Sequence, residues 1–173
     1  MTANARIVGG VLQTNGSGQF RVGGSQNAFL EDLTLNGSLV AEDLSDTQIS
    51  GTINNTGSID ITSNLGGTDL EIGTGGATLS GGGTVTLSGD DAGINETVAG
   101  VQTLTIADQT IQGVGNIGRN NTNFVNQDDG LIDANVDSET LVLDASGSFI
   151  NNGTLRASAV SYTHLTLPTI CSV

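Results

Sequence analysis

Aliphatic and polar residues alternate along this chain in short bursts. Asp69-Leu70-Glu71-Ile72, Thr103-Leu104-Thr105-Ile106 and Thr140-Leu141-Val142-Leu143 each place two apolar side chains on one side of an extended segment. A period of two predicts half-buried strands. A second phrase follows the first: an apolar residue, a polar turn containing Asn, a glycine, any residue, then an aliphatic one. It reads Ile53-Asn54-Asn55-Thr56-Gly57-Ser58-Ile59, then Val125-Asn126-Gln127-Asp128-Asp129-Gly130-Leu131-Ile132, then Ile150-Asn151-Asn152-Gly153-Thr154-Leu155. Leu70, Leu104 and Leu141 precede the next post-glycine aliphatic residue by similar distances, so two strands recur in fixed order. Leu79, Ile111 and Phe149 lie between them and supply a third apolar anchor. Each repeat therefore holds three short strands.

The glycine-x-aliphatic step sets the repeat length. It occurs at Gly18-Gln19-Phe20, Gly37-Ser38-Leu39, Gly57-Ser58-Ile59, Gly83-Thr84-Val85, Gly115-Asn116-Ile117, Gly130-Leu131-Ile132 and Gly153-Thr154-Leu155. The mean interval is about 22 residues, a length that suits one turn of a solenoid. Whole phrases repeated in one order, with variation confined to corners, predict an all-β, single-stranded parallel β-helix, a β-solenoid that is part of a longer array. Rungs about 4.8 Å apart would make six or seven coils a rod of roughly 30 Å. The predicted inward positions are Ile59, Ile61, Leu70, Ile72, Val85, Leu87, Leu104, Ile106, Ile132, Leu141, Leu143 and Leu155. Corner asparagines are expected to adopt left-handed backbone and to stack as amide ladders.

Two other architectures compete. Gly, Asn, Thr and Ser interrupt every window long enough for a helical stripe, and the nearest helical candidate, Ala28 to Leu33, is a turn at most. An antiparallel β-sandwich is the alternative, because Asn15-Gly16, Asn36-Gly37 and Asn152-Gly153 are type I′ hairpin signals.

Composition supports thin aliphatic layers. Only 3% of residues are aromatic while 26 are glycine, so large rings cannot fill the interior. The division expected is irregular strands or partial first coils over 1–29, solenoid repeats over 30–160, and a foreign tail over 161–173. Tyr162, His164, Pro168 and Cys171 are the chain's single representatives of their types, and all fall in that tail. The segment from Val160 to Val173 resembles the translated adapter read-through found at the ends of metagenomic reading frames, and is set aside from fold reasoning.

Charge narrows the partners. The net charge is −14 and the basic residues are four arginines, Arg6, Arg21, Arg119 and Arg156. Nucleic acid is not an expected partner, since phosphate contacts need a basic face. No stretch approaches a membrane span, so insertion is not expected. Met1 to Gly10 lack the basic start and apolar middle of a signal peptide, which leads us to expect a fragment of a longer exported chain. Uncapped coils at either end favour end-to-end self-association.

Candidate chemistry is sparse. Asp90-Asp91 and Asp128-Asp129 invite a glycosidase or calcium reading, yet both pairs adjoin glycine in evident loops, where solvated turn acids are common. Gly66-Gly67-Thr68-Asp69 and Gly81-Gly82-Gly83-Thr84 lack the spacing of the calcium-binding nonapeptide. Lyase chemistry would hang on Arg119 as its basic group. Six Asn-x-Ser/Thr triplets begin at Asn15, Asn36, Asn54, Asn95, Asn120 and Asn152. No catalytic, cofactor-binding or metal-binding set is assigned, and no cofactor is implied.

The phrases Phe149-Ile150-Asn151-Asn152-Gly153-Thr154-Leu155 and Val125-Asn126-Gln127-Asp128-Asp129-Gly130-Leu131-Ile132 resemble rungs of exported bacterial β-helix proteins: autotransporter passengers and filamentous-haemagglutinin-like adhesins. The resemblance spans roughly residues 30 to 157. It implies a non-catalytic structural or adhesive segment, extracellular or at the bacterial outer membrane surface, with host glycans or surface and matrix proteins as partners. The alternative function is a polysaccharide-degrading enzyme on the same scaffold, with Asp128, Asp129 or Asp133 as acids.

Overall fold

The computed structural model describes residues 5–96, 100–159 and 164–167, and among them every regular element is a strand. The first coil holds β1 (Ala5–Val8), β2 (Val11–Gln13) and β3 (Phe20–Val22). In the next three coils one long strand turns the first corner unbroken: β4 (Asn27–Asn36) with β5 (Ser38–Ala41), β6 (Asp46–Asn55) with β7 (Ser58–Thr62), and β8 (Thr68–Ser80) with β9 (Thr84–Ser88). Coil 5 is β10 (Ala92–Glu96), β11 (Gln102–Ile106) and β12 (Thr110–Gly113), and coil 6 is β13 (Gly115–Ile117), β14 (Thr122–Asn126) and β15 (Leu131–Ala134). Coil 7 is β16 (Thr140–Leu143), β17 (Phe149–Asn151) and β18 (Thr154–Ala157), after which β19 (His164–Thr166) pairs with β16.

Every pairing between these strands is parallel and joins one coil to the next. The chain is a β-solenoid of seven coils, and the antiparallel sandwich is excluded. Asn36-Gly37 and Asn152-Gly153 turn corners between faces instead of reversing hairpins. The segment Ala28 to Leu33 lies within strand β4.

Side chains alternate along most strands, with breaks where β4, β6 and β8 bend at the first corner, and give each coil three inward stripes. The third face carries the longest column: Phe20, Leu39, Ile59, Val85, Ile111, Ile132 and Leu155 stand in register through all seven coils. On the first face Leu70, Ile94, Ile117 and Leu143 align, and on the second Leu33, Ile53, Leu79 and Ile106. Eleven of the twelve predicted inward residues are buried, and Leu155 packs partly against the same core. Burying each such side chain stabilises the fold by roughly 1.5–3 kcal/mol, so short stripes repeated along an axis replace one large core. The rings of Phe124 and Phe149 meet at 6.1 Å between centroids on the second face.

Coil 5 departs from the expected phase. The step Gly115-Asn116-Ile117 lies on the first face of coil 6, and the third-face position of coil 5 is Ile111. Likewise Leu104 belongs to the second face, whereas Leu70 and Leu141 belong to the first. All three faces carry the same alternating pattern, so spacing alone cannot tell one from another.

The second corner explains why the phrase exists. Gly37, Gly57, Gly83, Gly130 and Gly153 occupy it in five coils, and their neighbours donate N–H groups from coil to coil, as in Ser58 to the Gly37 carbonyl and Thr84 to that of Gly57. A Cβ on Gly57 would overlap the Gly37 carbonyl oxygen, and one on Gly83 would stand 2.6 Å from that of Gly57. Close approach, not left-handed backbone, therefore demands glycine at those two positions. In coil 5 the position is Gln109, fully buried, whose side chain turns inward to Asn55 two coils away. Asn55 Nδ2 donates to Gln109 Oε1 at 2.8 Å, and Gln109 Nε2 donates to the Asn55 carbonyl at 2.9 Å. The expected amide stacking also occurs between Asn126 and Asn151, at 2.8 Å. Left-handed backbone falls mostly elsewhere: among non-glycine residues it is found at Ser25, Asp32, Leu44, Arg119, Asn120 and Ser138.

Candidate functional site

The acids singled out in the sequence occupy separate places. Asp128 and Asp129 sit in the second corner of coil 6, where they edge a shallow cavity of about 320 Å³ with Ala107, Gln127 and Asn152. Asp133 points outward from β15 yet is only 2% exposed, because coil 7 covers it. Arg156 Nη2 donates to its Oδ2 at 2.7 Å and the Ser158 hydroxyl donates at 2.9 Å. That hydrogen bond, with the attraction of the carboxylate, raises the Arg156 pKa. Asp133 is thereby committed to a structural contact. Asp90 and Asp91 lie in the third corner, after β9, and the carbonyl of Asp91 accepts a hydrogen bond from Arg119 Nη2 at 2.8 Å.

Arg119 is the centre of a different cluster. It projects from the corner between β13 and β14 with φ of 44° and reaches back two coils to Asp69, 3.3 Å from Oδ1. Its path crosses Gly93 of coil 5, where a Cβ would overlap Asp69 Oδ1 and come within 2.9 Å of Arg119 Nη2. Asp69 stands in register with Asp46 of the preceding coil. Burial is the main cause raising the pKa of each carboxyl; Asp69 further raises that of Asp46, and Arg119 opposes the rise at Asp69. Asn95, 5% exposed, completes the cluster and lowers the Asp69 pKa by a side-chain hydrogen bond. Among the described residues no group of three or more His, Cys, Asp or Glu is arranged to hold a metal ion.

A third arrangement has the form of a binding site. The outer side of the first face carries Arg6, Phe29 and Gln48 in one register column and Glu31 beside Ser50 in the next. With Thr74 from the first corner of coil 4 they line a cavity of about 320 Å³. Arg6 Nη2 donates to Glu31 Oε2 at 2.5 Å. Of the four phenylalanines, Phe124 is in the core and Phe20 and Phe149 pack against it; Phe29 alone stands outside. Sequence pattern could not single it out, because Ala28-Phe29-Leu30 reads as an unbroken apolar run. Two shallower cavities follow the outer side of the second face, one lined by Thr52, Thr78, Thr103 and Thr105, the other by Asp32, Thr34 and Asn54.

Comparison with family models, with curated proteins and with solved structures finds no match for this chain.

Proposed function

We propose that this chain is a rod-shaped structural and adhesive segment of an exported bacterial surface protein, binding glycans or surface and matrix proteins through its outer faces. The observation that carries the reading is the third face, whose strands stay in register through all seven coils and present a long outer surface at a fixed spacing. An extended, repetitive surface suits multivalent contact, in which weak sites add through proximity. Acidic charge of −14 keeps such rods apart in solution. The test is a binding screen against immobilised glycans and matrix proteins, using the chain closed at both ends by capping coils. Specific retention supports adhesion, and inertness toward every surface leaves only the spacer role.

The second reading is a polysaccharide-degrading enzyme on the same scaffold. Its support is Asp46 and Asp69, adjacent acids on neighbouring strands with Arg119 beside one of them; Asp128 and Asp129 together edge the cavity at the second corner, and Asp133 is held by Arg156 and Ser158. Release of reducing ends or unsaturated product from polysaccharide, abolished by Asp46→Asn or Asp69→Asn, would establish it.

A further inference from the structure

We propose that the outer cavity of the first face, built on Phe29, is a binding site for a linear, neutral oligosaccharide laid along the solenoid axis. The proposal rests on the adhesive reading and names the site and ligand class behind it. Its first support is the aromatic ring. A phenylalanine left outside an aliphatic core gains nothing from that core, and its flat apolar face in a concavity matches the hydrogen-bearing face of a pyranose. A ring stacked there presents its hydroxyls sideways, toward the neighbouring coils.

The second support is what those coils offer. Gln48, one coil beyond Phe29, brings a carboxamide that both donates and accepts. Ser50 and Thr74 add hydroxyls, and Glu31 adds a carboxylate held by Arg6. A flat apolar surface beside groups that match vicinal hydroxyls offers a polar but uncharged ligand both a stacking face and hydrogen-bond partners. The lining residues come from four consecutive coils, a reach of about 14 Å along the axis, the length of a short oligosaccharide.

Electrostatics then selects within the sugars. Arg6 and Glu31 cancel locally, while the whole chain carries −14. A uronate or sulfated glycan approaches against that field, and the one cation among the described lining residues, Arg6, is paired with Glu31, whereas a neutral glycan does not feel the field.

The experiment titrates the chain with cellotetraose, chitotetraose and a galactose tetramer, and with tetragalacturonate as the anionic comparator, by calorimetry and by amide chemical-shift mapping. The expected result is binding of at least one neutral tetramer, with shifts centred on residues 29, 48 and 50. Phe29→Ala should weaken it about tenfold or more and Gln48→Ala several-fold, while Thr78→Ala on the second face leaves it unchanged. Both altered side chains point outward, and thermal melts check that the variants stay folded. Neutral binding indifferent to both substitutions, or tighter binding of the uronate, overturns the proposal. Retention on matrix proteins without affinity for any neutral tetramer also overturns it and leaves the adhesive reading standing; inertness in both screens removes both.

Discussion

The second and third corners of each coil solve the same geometric problem under different constraints. At the second corner successive backbones touch, so glycine recurs at 37, 57, 83, 130 and 153, and the neighbouring amide of Asn55 or Asn126 is buried. At the third corner the chain swings out into solvent, and its length runs from the single residue 114, between β12 and β13, to segments such as 63–67 and 135–139. Contact disciplines sequence, and solvent releases it. One corner preserves a phrase, while the first and third corners absorb most of the insertions that spoil the period.

The contrast breaks most sharply with paired glycine substitutions. Gly57→Ala drives a methyl group into the Gly37 carbonyl and should cost about 3 kcal/mol or more, read as a fall in the denaturation midpoint. Gly67→Ala, at the third corner, meets only Asp69 Oδ2 at 3.9 Å and should change stability by less than about 0.5 kcal/mol. Equal losses at the two sites would refute the account.

Gln109→Ala comes next. It removes the shortest hydrogen bond of the buried Asn55 Nδ2 at a cost of about 1–3 kcal/mol, and a double-mutant cycle with Asn55→Ala should return a coupling of about 0.5–3 kcal/mol.

A smaller effect follows pH. Asp46 and Asp69 have pKa values raised in the folded state, so protonation favours the fold; their contribution is fully present below the unfolded carboxyl range and is lost as pH rises through the folded values. Thermal stability should therefore increase on mild acidification from neutral pH. Relief of general acidic repulsion acts in the same direction, so the diagnostic is Asp46→Asn, which should flatten the profile relative to the parent. The smallest effect belongs to Arg21 and Glu42, an exposed pair on the third face and its corner: Arg21→Ala should shift stability by about 0.5 kcal/mol or less.

Much of the fold was legible because register and alternation impose themselves on composition. The columns through Ile59, Val85 and Ile132 follow from glycine-x-aliphatic steps that the crowded corner enforces. Coil 5 departs from the repeat for one physical reason: Gln109 replaces the glycine at its second corner, so the next glycine-x-aliphatic step, Gly115-Asn116-Ile117, falls on the first face of coil 6. The cavity beside Phe29 was hidden for another. Phe29 lies between two inward residues, and only the strand's orientation shows that it faces out. The meeting of Asp46 with Asp69 and Arg119 depends on coil lengths that the first and third corners leave free, and no local motif announces it.

Two of the contacts described above skip a neighbour: the amide pair ties coil 3 to coil 5, and Arg119 ties coil 6 to coil 4. A stack held only by adjacent rungs would unravel one step at a time under tension, each step independent of the next. Here the overlapping clasps join the middle rungs into a single mechanical unit. A chain drawn out by its ends should shed its outer turns in small increments and then yield the centre in one larger event.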